Sequence, residues 1–182
     1  MSDIHVKGLA DLQKFLDQLP AKMEANVMRG AMAAAAKPMK ISAQQRCPTG
    51  RPSREGAALY GLHDGSLRDS IRVSTRVKNG QAVASLKVGG KTKKAGDVWY
   101  AHIVEFTGAR AHTIKAKNKK GLSFGSLFAE TVDHPGMRAK PFLRPAFHTQ
   151  ASNSVLAAGE YIKKRLATKE GLNTAHIELE IE

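Results

Sequence analysis

The sequence predicts an α+β fold, with N-terminal helices, a central antiparallel β-sheet containing a hairpin, and a long C-terminal helix packed on the sheet. Three observations carry this. Leucines recur at helical spacing near the start, apolar and polar residues alternate around an Asn-Gly pair in the middle, and a second helical face runs through the last third.

The first helix rests on Leu9, Leu12, Leu16 and Leu19, which share one face and are followed by Pro20. A second helix is predicted from Ala21 to about Arg46, with Met23, Val27, Ala31 and Ala34 as its stripe. Its run "GAMAAAAK" joins high helix propensity to small side chains that let another backbone approach. Pro38 stands inside the run and predicts a kink or a break. Residues 47–65, "CPTGRPSREGAALYGLHDG", read as a long loop. Ile71, Val73, Thr75 and Val77 then alternate with Arg72, Ser74, Arg76 and Lys78. Asn79-Gly80 supplies the positive-φ positions of a tight hairpin turn, and Ala82, Ala84, Leu86 and Val88 return on one face. "GGKTKKAGD" reads as a second loop, "VWYAHIVEF" as a strand and "HTIKAK" as a short strand. Residues 118–140 read as irregular, with brief strands around Leu122–Phe124 and Glu130–Val132. The last helix is predicted to begin near Pro145, since proline suits the first helical position. Phe147, Ala151, Val155, Ala158, Ile162 and Leu166 would form its apolar face. Residues 1–168 thus form one domain, and residues 169–182, "HIELEIE" at their end, an acidic tail.

Composition bounds the function. Aromatic residues are 5% of the chain and alanine supplies much of its apolar content, so the core is modest and suited to stabilisation by neighbours. A net charge of +13 favours polyanions or acidic protein surfaces. No run is apolar enough to span a bilayer, and the first residues lack the pattern of a signal peptide. The single cysteine, Cys47, excludes an internal disulfide.

Catalytic and metal chemistry finds little support. On a strand His102 and Glu105 would face opposite sides, and His112, His134 and His148 lie in separate segments. Cys47 falls at a helix C-terminus, where the dipole disfavours a thiolate. "KVGGKTKKAG" contains Gly-Lys-Thr, but Ser85 stands where a phosphate loop needs its first glycine. No catalytic, cofactor or metal residue is assigned. The binding candidates are the lysine clusters Lys91, Lys93, Lys94 and Lys115, Lys117, Lys119, Lys120, which could meet phosphates or an acidic partner without reading sequence. In "RAKPFLRPAF", Pro141 and Pro145 stiffen the entry to the last helix. Phe142, Leu143 and Phe147 are expected as a buried anchor there, against Ile71, Val73 and the 99–106 strand, with Arg138 and Arg144 facing a neighbouring subunit.

Four segments occur in order: "GSLRDSI" at 65–71, "YAHIVEFTG" at 100–108, "AHTIKAKNKKGLSF" at 111–124 and "KPFLRPAF" at 140–147. With the N-terminal helices, across roughly residues 5–168, they resemble the HK97 gp10-like family of tailed-phage proteins. The resemblance implies a structural, non-enzymatic virion protein at the neck, or head-proximal end of the tail, acting in tail completion and head–tail joining. It also implies a homo-oligomeric ring, six-fold like the tail tube, made in the bacterial host cytoplasm and touching neighbouring neck and tail-tube proteins. Non-specific contact with packaged DNA is compatible with it, and no membrane is involved. The family pattern usually reads Glu-Phe-Gly-Thr, whereas this chain has Glu105-Phe106-Thr107-Gly108, so a different turn is expected there. The charge alone supports a rival, a sequence-independent basic DNA-binding protein.

Overall fold

The structure, a computed structural model, describes residues 7–17, 21–50, 52, 54–78, 80–116, 121–124, 127–169, 174 and 177–179. Its fold is α+β. Helix α1 spans Leu9–Leu16 and buries Leu12 and Leu16. Leu19 and Pro20 lie outside the described residues. Helix α2 runs from Ala21 to Arg46 through Pro38. Of the kink or break expected at Pro38, the break is absent, although proline removes a backbone donor there. Packing of α2 against α5 on one side and a hairpin on the other supplies the contacts that hold the helix. Met23, expected on the buried stripe, is exposed, while Val27, Ala31 and Ala43 are buried.

The segment read as a long loop instead holds α3, Arg54–Tyr60, and is followed by the short α4, Ser66–Asp69. Strands β1, Arg72–Lys78, and β2, Gln81–Lys87, pair antiparallel with Lys78 opposite Gln81, and Gly80 takes φ 74°. Asn79 lies outside the described residues. This hairpin packs on α2. The second expected loop is a tight ladder, β3, Gly90–Thr92, against β4, Gly96–Val98.

The predicted strand "VWYAHIVEF" is a helical turn ending in a π-helix over Ile103–Thr107. Val98 closes β4, and Ala101, Val104 and Glu105 beyond it are buried, which is helical spacing. The short run of aromatic and β-branched residues, Val98, Trp99, Tyr100, Ile103 and Val104, has the composition of a strand. Gly108 N–H donates to Ile103 O at 2.7 Å and closes this wide turn. Gly108 takes φ 61°, and a Cβ there would overlap Met137 O and lie 2.7 Å from Ala139 N. Glycine therefore serves two needs at this point, a left-handed backbone and a close approach.

Between Ala109 and Met137 the described strands pair with one another as an antiparallel arm. It opens with a bridge between Ala109 and Met137. It continues as β5, His112–Lys115, against β8, Thr131–His134, and then β6, Leu122–Phe124, against β7, Leu127–Ala129. Among the described residues the strands thus form four two-stranded ladders rather than one continuous sheet. Helix α5, Leu143–Lys169, begins two residues before Pro145 and packs chiefly along α2.

Two hydrophobic clusters result. One gathers Ala43, Cys47, Leu67, Ile71, Val98, Ala101, Val104, Phe142 and Ala146 at the hairpin end. The other joins Leu12, Leu16, Val27, Ala31, Ile162, Leu166 and Ile177 at the opposite end. The helices approach closely between them. A Cβ at Gly30 of α2 would overlap the Tyr161 ring of α5.

Candidate functional site

The segment 138–147 meets the body through one carboxylate. Glu105 is 4% exposed, carried inward by the π-helical turn. Its Oε2 accepts the N–H of Phe142 at 2.8 Å and of Leu143 at 3.0 Å. Its Oε1 accepts the N–H of Arg144 at 3.1 Å. The first turn of a helix leaves its N–H groups without internal partners and carries a partial positive charge, so a carboxylate suits it on both counts. A further bond, Lys140 N–H to Val104 O at 2.8 Å, straps the preceding residue to the same turn. Two motifs of the sequence, "YAHIVEFTG" and "KPFLRPAF", are therefore a single clamp. Sequence reasoning missed it because it placed Glu105 on a strand; the signal lay in the helical spacing of Ala101, Val104 and Glu105.

Phe142 is fully buried in the hairpin-end cluster, and Leu143 packs partly against it. Phe147 corrects the expected anchor, being 58% exposed. Ala146 takes the inward position instead, since α5 lies close along the alanine-rich α2 and only a small side chain fits between them. Val73 and a 99–106 strand are likewise not what Phe142 meets; its partners include Ile71, Val98 and Val104. Arg138 and Arg144 are exposed. The Arg144 guanidinium sits 5.9 Å over the Phe106 ring, itself 62% exposed.

Lys91, Lys93 and Lys94 stand exposed on the β3–β4 hairpin and Lys115 on the arm. Lys117, Lys119 and Lys120 lie outside the described residues. Lys91 of β3 and Lys115 of β5 thus sit on different ladders. Lys91 lies across from Asp97, and Lys94 Nζ is 3.7 Å from Asp69 Oδ2.

Around Asp69 three residues meet in a way the sequence did not signal. His63 Nδ1 is 2.8 Å from Ser66 Oγ, and His63 Nε2 is 3.3 Å from Asp69 Oδ2. Ser, His and Asp in contact invite a nucleophile reading, but geometry rejects it. Ser66 is 2% exposed, and its Oγ already accepts the His63 backbone N–H at 2.7 Å. The three residues lock the turn entering α4. Burial raises the Asp69 pKa, but the His63 hydrogen bond and the charges of Lys94 and Arg68 outweigh it and hold the carboxyl below its ordinary value. Cys47 is buried too, and burial pushes its thiol up to about 11 against the pull of Arg68. At neutral pH it is a protonated core group.

Among the described residues no three His, Cys, Asp or Glu could share a metal ion, and His102, exposed, turns its Nδ1 to Trp99 O at 3.0 Å. No described helix is long and apolar enough to cross a membrane. A cleft of about 520 Å³ is lined mainly by apolar and aromatic groups such as Tyr60, Leu62, Trp99 and Tyr100, with Lys140.

No curated protein and no solved structure matches the chain. Residues 10–106 match the family described as "Bacteriophage HK97-gp10, putative tail-component". That match begins in α1, takes in the hairpin end of the core and stops just after Glu105, the clamp of the last helix. It covers more than half of the sequence, and the chain belongs to this HK97-gp10-like family of phage tail components.

Proposed function

We propose that the protein is a structural, non-enzymatic part of a tailed-phage virion. It acts at the neck, where it completes the tail and joins it to the head, as a closed ring of copies, six in number to match a six-fold tube. The observation that supports this best is how the chain distributes its chemistry. Glu105, a deeply buried carboxylate, is fully committed to holding α5, while Phe106, Phe147 and Trp99 remain on the surface. Burying apolar side chains is what subunit contacts do. The test is deletion of the gene in a producing phage or prophage, followed by electron microscopy. Filled heads and finished tails that do not join are expected, with the tagged protein found at the neck of complemented particles. Intact, infectious particles without the protein would refute the reading.

Charge supports a contact with DNA inside that ring. Residues 37–148 carry 21 of the 29 Lys and Arg but 7 of the 16 Asp and Glu, so the excess lies wholly in this stretch. Binding to duplex DNA is then expected to be indifferent to sequence and to weaken steeply with salt. Each phosphate contact contributes about 0.9 to the log–log salt slope, so changing Lys91, Lys93 and Lys94 to Gln should lower the slope measurably. Absence of binding at low salt would assign these lysines to acidic protein surfaces.

A further inference from the structure

The arm from Ala109 to Met137 poses a physical problem. Its β5–β8 and β6–β7 ladders are each two-stranded, and neither packs extensively on a helix. Isolated two-stranded hairpins are marginal in water and gain stability when a face is covered. The arm also spends a large aromatic on solvent. Phe128, on β7, is 73% exposed, and Glu130 beside it is exposed as well.

The body holds the complementary feature. A groove of about 340 Å³ is lined by Met39, Leu86, Phe106, Leu143, Arg144 and Phe147. Its surface is almost wholly apolar, and it is roomy for a phenyl ring, since a cavity of about 150 Å³ can hold benzene. The carboxylate at its base, Glu105, already accepts three N–H groups. The exposed charge at its rim is Arg144, and Lys40 and Lys87 flank Met39 and Leu86 in sequence. The groove therefore fits an apolar knob accompanied by a carboxylate, and Phe128 with Glu130 has that chemistry.

We infer that Phe128 of one copy seats in the Phe106–Phe147 groove of the next, with Glu130 facing Arg144. Knob and groove lie on different parts of the same chain, so the contact is heterologous and repeats from copy to copy, closing into a ring when the rotation allows. An aromatic knob in a pocket flanked by Arg is the composition of an interaction hot spot. This inference rests on the multi-copy reading above but not on where in the virion the copies sit.

The test places cysteines beside the two surfaces and leaves their key groups intact. An Ala129→Cys, His148→Cys double variant is treated with a short bis-maleimide at neutral pH, where buried Cys47 does not compete. Purified protein at low salt and isolated particles are both examined. A ladder extending beyond the dimer is expected. Adding Phe128→Ser or Phe147→Ser should cut its yield at least about tenfold while the melting temperature stays put. Arg144→Glu should do the same, and Glu130→Arg in that background should restore the ladder. A cross-link confined to single chains would mean that the arm folds onto its own groove and would overturn the inference. So would the lack of any ladder in both settings. If particles carry the protein at the neck without a ladder, the contact is wrong and the location stands. If purified protein gives the ladder but particles lack the protein, the location is wrong and the contact stands.

Discussion

Glu105→Ala is expected to lower stability by about 3–5 kcal/mol, a drop of roughly 10–15 °C in melting temperature for a chain of this size. The substitution strips the acceptor from three N–H groups at the start of α5, those of Phe142, Leu143 and Arg144. A buried donor left without a partner costs about 1–3 kcal/mol, and these three lie at the same point. Domains of this kind hold only about 5–15 kcal/mol in total, so soluble yield should fall as well. Two comparisons isolate the cause. Glu105→Gln keeps the shape and one carbonyl acceptor, so it should fall between the wild type and alanine. The loss should also change little with salt, because the carboxylate is shielded from solvent. Thermal melts of both variants at low and high ionic strength decide the matter. An Ala variant that melts with the wild type would mean that water replaces the carboxylate without cost, and the clamp would not be structural.

How much of this was legible in the sequence varies with the physics of each element. The β1–β2 hairpin was plain, because a period of two over seven residues on each strand and a tight turn leave little ambiguity. Helix α2 was plain from propensity, but whether Pro38 would break it was not, since tertiary packing decides whether a proline is tolerated. The β3–β4 ladder was hidden because three-residue strands built from Gly, Lys and Thr carry no hydrophobic period. The turn carrying Glu105 was misread outright. A short apolar run rich in aromatic and β-branched residues reads as strand or helix alike, and the helical spacing of Ala101, Val104 and Glu105 was equally present in the string. Once Glu105 was assigned to a strand, its role at α5 could not be found. Relative to the usual family order, glycine here stands one residue later, at Gly108, and the turn it closes is a π turn wide enough to hold the additional residue.

On α5 the expected face holds at Ile162 and Leu166, which are buried, and fails at Phe147 for a different reason. Hydropathy points to the largest apolar side chains, so Phe147 was placed inside. The partner of α5 is a helix rich in alanine, and two helices of that kind approach until only small groups fit between them. Ala146, Ser154 and Gly159 are accordingly buried, while Phe147, next to Ala146 on the helix, turns outward. The result bears on function. A residue type that normally marks the core stands at the edge of an open groove, as Phe106 does on the turn opposite. Sequence reasoning sees three large apolar side chains within six residues but cannot say that the helix surface divides them between the core and the outside.

That division makes Phe142→Ala and Phe147→Ala a decisive pair. Phe142 is fully buried among Ile71, Val98, Val104 and Ala146, and its own N–H is held by Glu105. Removing its ring leaves a cavity between the body and the first turn of α5, at a cost of about 3–5 kcal/mol. Because Glu105 and Phe142 fix the same turn, the double variant should lose less than the two single losses combined. Phe147→Ala touches no core contact of this kind and should stay within about 0.5 kcal/mol of the wild type. Its effect should instead fall on association between copies. Calorimetry on the wild type, Glu105→Ala, Phe142→Ala, their double variant and Phe147→Ala, with particle complementation for the Phe147 variant, separates the two roles. If Phe142→Ala proves harmless to melting while Phe147→Ala unfolds the chain, α5 must pack with the opposite face inward. The groove would then be part of the core and closed to any partner.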